Sequence, residues 1–206
     1  MTTHDDAPTV FDQPFWDNLY TERAMRWSGN ANPVLVTEAS KLEPGTALDI
    51  GSGEGGDAFW LADNGWTTTG SDISVVALDR ARQAQGERTI EWLHRDLLEW
   101  APESSYDLVT AHFFQLPPLQ VGPAFTRFGN AVAAGGHLLI VGHSPNDAMA
   151  SQHQHAEMLF GVDSITSLFD GDQWTTVVAE DRVRAGNNPD GSHGERIDTV
   201  VLLRRQ

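Results

Sequence analysis

Three aspartates, a run of glycines and two histidines are the residues of this chain whose types and spacing suit chemistry. The run is Asp49-Ile50-Gly51-Ser52-Gly53-Glu54-Gly55-Gly56-Asp57, entered from a short apolar stretch. Glycine adopts backbone angles closed to other residues and lets a ligand approach the main chain closely. A strand that turns through such a loop into a helix aims free N–H groups and the positive end of a dipole at one point. That is an edge for a nucleotide-like ligand. Asp72 and Asp96 follow it, and His112 and His143 stand further on. Each histidine can titrate near neutral pH and take a proton from a hydroxyl, amine or thiol.

The elements that must position these groups alternate in type. Residues 15–42 read as two helical pieces, the second opening at Asn32-Pro33 with an N-cap and a proline at the first helical position. A buried strand is expected over 47–50 and a helix over 58–64, stopping at Gly65. Strands at 66–71, 89–93, 106–111 and 137–142 follow. Between them lie a helix capped by Ser74 and one carrying Phe125, Phe128 and Val132, which Gly135-Gly136 ends. A short helix is expected near 164–169. Two β-rich runs, 174–183 and 198–203, close the chain around a turn at Asn187-Asn188-Pro189-Asp190-Gly191. Alternating strands and helices imply βαβ units and a mostly parallel sheet, with the last two runs as an antiparallel pair.

Composition narrows the partners. The 206 residues are 40% hydrophobic and 20% charged, a globular balance in one domain. With 29 acidic against 13 basic residues the net charge is -16, and Lys41 is the one lysine. Nucleic-acid binding draws its non-specific affinity from Lys and Arg, so DNA and RNA are not expected partners, nor is an anionic membrane. No apolar stretch approaches the roughly 20 residues that span a bilayer, and the acidic start is no signal peptide. The absence of cysteine excludes thiolate catalysis and disulfides. A cytoplasmic protein is expected. His153-Gln154-His155 with His193 offers no clean acid partner, so no metal is expected.

Glycine spacing alone leaves two ligands open. Gly51, Gly53 and Gly56 fit the dinucleotide fingerprint, with Asp72 about 20 residues on where a ribose-binding acid belongs. A phosphate loop of the Walker type is excluded, because no Lys-Ser or Lys-Thr pair follows. The other ligand is S-adenosylmethionine, and here the chain resembles a class I (Rossmann-like) methyltransferase. Asp49 to Gly55 matches that family's first motif and Gly70-Ser71-Asp72-Ile73-Ser74 its second-strand ending. Arg95-Asp96-Leu97, Tyr106-Asp107-Leu108-Val109 and Gly135-Gly136-His137-Leu138-Leu139 match its later segments in order.

The resemblance implies a single-domain α/β fold. Its seven-stranded, mostly parallel sheet would end in an antiparallel pair, with an N-terminal helical lid over residues 1–44 and the methyltransferase domain over 45–206. It implies that S-adenosylmethionine is held by Asp49, Gly51, Ser52, Gly53, Asp72, Ile73, Asp96, Leu97 and Ala111, with S-adenosylhomocysteine as product. Asp49 would attract the ammonium, Asp72 would accept the ribose hydroxyls, and Ile73, Asp96 and Leu97 would meet adenine. The segment Phe15-Trp16-Asp17-Asn18-Leu19-Tyr20 with Arg26-Trp27-Ser28-Gly29 is similar to small-molecule members of the thiopurine and tellurite group. By that likeness Trp16, Tyr20 and Trp27 close over the ligand, joined by Asn30 and Asn32.

Class I members place the acceptor beyond the fourth and fifth strands, where His112 and His143 make the catalytic candidates. Phe113, Phe114, Phe160 and Phe169 can line an aromatic pocket, with core packing as their default. The expected function is methyl transfer to a small-molecule O, N or S nucleophile by in-line displacement, in a monomer or homodimer. The alternatives are a cofactor-binding regulator without catalysis and a nicotinamide-dependent oxidoreductase.

Overall fold

The structure, a computed structural model, describes residues 11–152, 155–169, 171–187 and 193–206. Helix α1 (Gln13–Thr21) begins at Asp12, whose carboxylate accepts from Phe15 N, and α2 (Pro33–Ala39) begins at Asn32, whose side chain accepts from Val34 N. The βα alternation follows: β1 (Thr46–Ile50), α3 (Gly56–Asp63), β2 (Thr67–Asp72), α4 (Val75–Ala84), β3 (Ile90–His94), β4 (Tyr106–His112), α5 (Pro118–Asn130) and β5 (Val132–His143). After the short α6 (Val162–Thr166) come β6 (Trp174–Asn187) and β7 (His193–Arg205). The seven strands lie in the order β3-β2-β1-β4-β5-β7-β6. All neighbours through β5 are parallel, and β7 enters antiparallel between β5 and β6.

Each central strand is buried on both faces, as its apolar run requires. Leu48 and Ile50 of β1 pack with Val109 and Ala111 of β4 against Phe125 and Phe128 of α5. Ala47 and Leu108 turn to the opposite face, where Leu35 of α2 and Leu61 of α3 cover them. Side chains alternate along a strand. Asp49, Thr110 and His112 therefore point to the α2/α3 face, toward the loop that follows β1.

Strand order reverses between β1 and β4, and ligands of open α/β sheets bind beyond the strand ends at such a point. Two boundaries differ from the sequence reading. Val132 opens β5 instead of continuing α5, because it pairs with Tyr106 while the helix stops at Asn130. The terminal hairpin also reaches well past its apolar part, to Asn187 and His193. Residues 188–191 of the expected turn lie outside the described residues.

Candidate functional site

Gly51, Gly53 and Gly55 carry φ of +69°, +53° and +92°, which lets β1 turn sharply into α3. The loop does not offer free N–H groups at these positions, contrary to the sequence expectation. Gly51 N and Ser52 N both donate to Ser71 O, and Gly55 N donates to Ser52 O. Gly53 N donates to Asp72 Oδ2 at 2.8 Å. A pyrophosphate would find these amides already engaged.

The acid before the loop is in the opposite condition. Asp49 is 2% exposed; Thr110 Oγ1 donates to its Oδ1 at 2.9 Å, while Oδ2 is buried without a partner. Burial, reinforced by the nearby Asp57 charge, pushes its carboxyl up to about 7, against the opposing pull of His112 and the Thr110 bond. Asp72, also buried, accepts from Gly53 N and from Ser74 N, and burial raises its carboxyl above the ordinary range. Each of its oxygens keeps lone-pair capacity for a further donor.

His112, at the end of β4, is tied to the first turn of α3. Its Nδ1 lies 2.7 Å from Asp57 Oδ2, and its Nε2 is buried without a partner. Asp57 Oδ1 accepts from Asn32 N at 2.6 Å. Burial would raise Asp57, but the His112 charge and hydrogen bond and the Asn32 amide outweigh it and hold the carboxyl below its usual range.

Residues between Asp17 and Asn32 meet this edge through carboxylates. Glu54 Oε2 accepts from Arg26 N and Trp27 N, and its Oε1 pairs with Arg80 at 2.9 Å. Asp17 accepts from Ser74 Oγ at 2.6 Å. Tyr20 is 4% exposed, and a methyl group on Gly53 would fall 2.8 Å from its Oη. Trp27 Nε1 donates to that same Oη at 3.2 Å.

His143 ends β5 opposite Asp198 of β7, its register partner, with Nδ1 at 3.2 Å from Asp198 Oδ1. Arg184 Nε reaches Asp198 Oδ2 at 2.5 Å, and burial's upward push on Asp198 is overcome by its bonds to His143 and Arg184. Phe113 stacks at 4.6 Å from the His143 ring, in a left-handed backbone with φ +52°. A non-glycine residue held there is strained, and such strain gathers at functional sites.

Of the residues singled out from sequence, Asp49, Gly51, Ser52, Gly53, Asp72 and His112 meet at the β1/β4 switch, with Tyr20 and Trp27 above. Ala111 is wholly buried beneath them. Ile73 is half-buried beside Asp72. Asp96 is exposed and accepts from Leu98 N, which caps a turn, and Leu97 is buried in the α5-side core. Trp16 packs with Phe11 and Phe15 instead of with Tyr20. Asn30 is exposed, and Asn32 caps α2. Phe114 sits against Gly51, whereas Phe160 and Phe169 belong to the core. Glu54, Asp57, Arg184 and Asp198 were not singled out. An acid inside or just after the glycine loop was the available signal for the first two. Of the histidine cluster, His153 lies outside the described residues. Among the described residues no group of three or more ligating side chains is placed to hold a metal, and no helix is long and apolar enough to cross a membrane.

Residues 47–136 match the family model described as a methyltransferase domain. That stretch is under half of the chain and takes in β1 through the start of β5, with the glycine loop. The chain is 28% identical over 109 residues to thiocyanate methyltransferase 1 of Brassica oleracea, covering 50% of this chain and 48% of that protein. The chain spans about half the length of the curated relatives it matches. TehB from Haemophilus influenzae superposes with a TM-score of 0.74 at 15% identity, covering 94% of this chain and 67% of that one. The N-methyltransferase NodS of Bradyrhizobium japonicum WM9, solved with S-adenosyl-L-homocysteine, superposes at 0.68 and 19% identity over 92% of this chain and 99% of its own. The chain thus shares its fold with both.

Proposed function

We propose that this chain transfers a methyl group from S-adenosylmethionine to a small-molecule nucleophile. The match of residues 47–136 to a methyltransferase domain, and the likeness of the fold to a structure solved with S-adenosyl-L-homocysteine, support that donor. The observation that carries the reading is the polarity of the site. The amides of Gly51, Ser52, Gly53 and Gly55 are consumed internally, while a buried carboxylate oxygen of Asp49 lacks a donor. A dinucleotide brings an anion to this loop, whereas S-adenosylmethionine brings an ammonium and a sulfonium.

The residues present fit that group. Asp49 would hold the ammonium end, and Asp72 the ribose hydroxyls through its remaining lone pairs. Gly51, Ser52 and Gly53 keep the backbone close, over buried Ala111. Ile73, Asp96 and Leu97 would line the adenine end. Residues 11–44 act as a lid, with Tyr20 and Trp27 over the loop and Trp16 at its outer edge. The cofactor supplies an electrophilic methyl group when bound; the protein's part is to orient it and exclude water.

His143 is the acceptor-side group. Asp198, itself fixed by Arg184, would orient the imidazole through Nδ1 on the acceptor side, where His143 would serve as the general base. The acceptor is a small molecule, with the -16 charge disfavouring nucleic acid, and the chain works in the cytoplasm as a monomer or homodimer. Transfer of labelled methyl to a panel of thiols, phenols and amines tests this reading. Product with one class is the expected result. Binding of the cofactor without transfer to any class would favour a regulator that has lost catalysis.

A further inference from the structure

Asp49 Oδ2 and His112 Nε2 are both buried and both without a hydrogen-bond partner. They stand on adjacent parallel strands at the switch point. Asp49 is the register partner of Thr110, and His112 lies two residues beyond it on the same face. With Asp49 ionised and the imidazole carrying a single proton on Nδ1, both atoms are acceptors. The Asp57 carboxylate, 2.7 Å from His112 Nδ1, can only accept, so a ring proton stands on Nδ1, and a ring that carries that proton alone presents a lone pair at Nε2. Asp72, one strand away on β2, is the further acid that acts on Asp49. Two bare acceptors beside a cluster of acids suit a group that carries several N–H donors and a positive charge.

We propose that the ammonium of the cofactor lies between Asp49 Oδ2 and His112 Nε2, and that Asp57 is the positioning residue that orients His112 for this contact. The inference rests on the methyl-donor reading above. It makes His112 a binding residue and leaves proton transfer to His143. It also gives Asp57 a double task. One oxygen holds the imidazole and the other holds Asn32 N of the lid, so the ammonium site and the lid share one carboxylate.

The test uses calorimetry with two probes, S-adenosylhomocysteine and its deamino analogue, which lacks only the ammonium. His112→Ala and Asp57→Asn should each weaken the first by about tenfold, the size of one charge-assisted contact. Affinity for the analogue should stay within about twofold of wild type, which also reports that the variants are folded. Equal losses for both probes, or no loss for the first, would overturn the proposal. Nitrogen-15 spectra of the wild-type imidazole should show the proton on Nδ1, and Asp57→Asn should move it to Nε2. A wild-type ring protonated only on Nε2 would overturn the role given to Asp57. Failure of the wild type to bind either probe would instead reject the methyl-donor reading itself.

Discussion

Thr110 Oγ1 donates to Asp49 Oδ1 across the β1–β4 pair, and the second oxygen of Asp49 is thereby left as the open acceptor of the site. That carboxyl is buried and raised to about 7. Between its ordinary value of 3.8 and about 7 the native state keeps a proton that the unfolded chain has released. Stability therefore falls as pH rises through that window. Asp49→Asn removes the effect, so urea unfolding should show wild type losing ground to the variant by on the order of 4 kcal/mol from acid to neutral pH. The same variant should bind S-adenosylhomocysteine at least about tenfold more weakly.

Gly53→Ala brings two penalties that can be separated. The left-handed backbone costs about 1–2 kcal/mol for a residue with a Cβ. The new methyl also falls 2.8 Å from Tyr20 Oη. Tyr20→Phe in the same background should restore part of the loss, a coupling of about 0.5–1 kcal/mol by urea unfolding. Strict additivity would show that Tyr20 does not press on the loop.

Glu54→Ala should loosen the lid without unfolding the sheet. Arg26 N and Trp27 N lose their shared acceptor, and Arg80 loses its partner. Trypsin cleavage after Arg23 and Arg26 should quicken roughly tenfold as local opening becomes easier. Bound S-adenosylhomocysteine should slow it again.

His143→Ala should lower turnover by about a hundredfold, the usual size of a lost general base. Its affinity for S-adenosylhomocysteine should not change. Asp198→Asn should give a similar loss in kcat, since the buried carboxylate orients the ring. A turnover equal to wild type in both would remove the pair from the mechanism.

The sheet and the glycine loop were legible because apolar runs and glycine spacing are local. The helix-to-strand change at Val132 was not, because helical spacing carries Phe125, Phe128 and Val132 alike, and only pairing with Tyr106 makes the last a strand residue. The hairpin beyond Val183 was missed for a related reason. Polar residues such as Arg184 and Glu195 read as loop until their register partners are known. Asp49, Asp72 and the two histidines were visible as types at strand ends. Their partners Asp57 and Asp198 each lie 55 residues from the histidine they hold, a distance that strand order closes and sequence spacing does not reveal.

The central claim is that the glycine edge holds a sulfonium cofactor through Asp72 and Asp49. Calorimetry of S-adenosylhomocysteine and NADH with wild type and Asp72→Ala measures it most directly. The account expects wild type to bind S-adenosylhomocysteine and not NADH, with that binding lost in Asp72→Ala. Binding of NADH in its place, or an unchanged affinity in the variant, would contradict it.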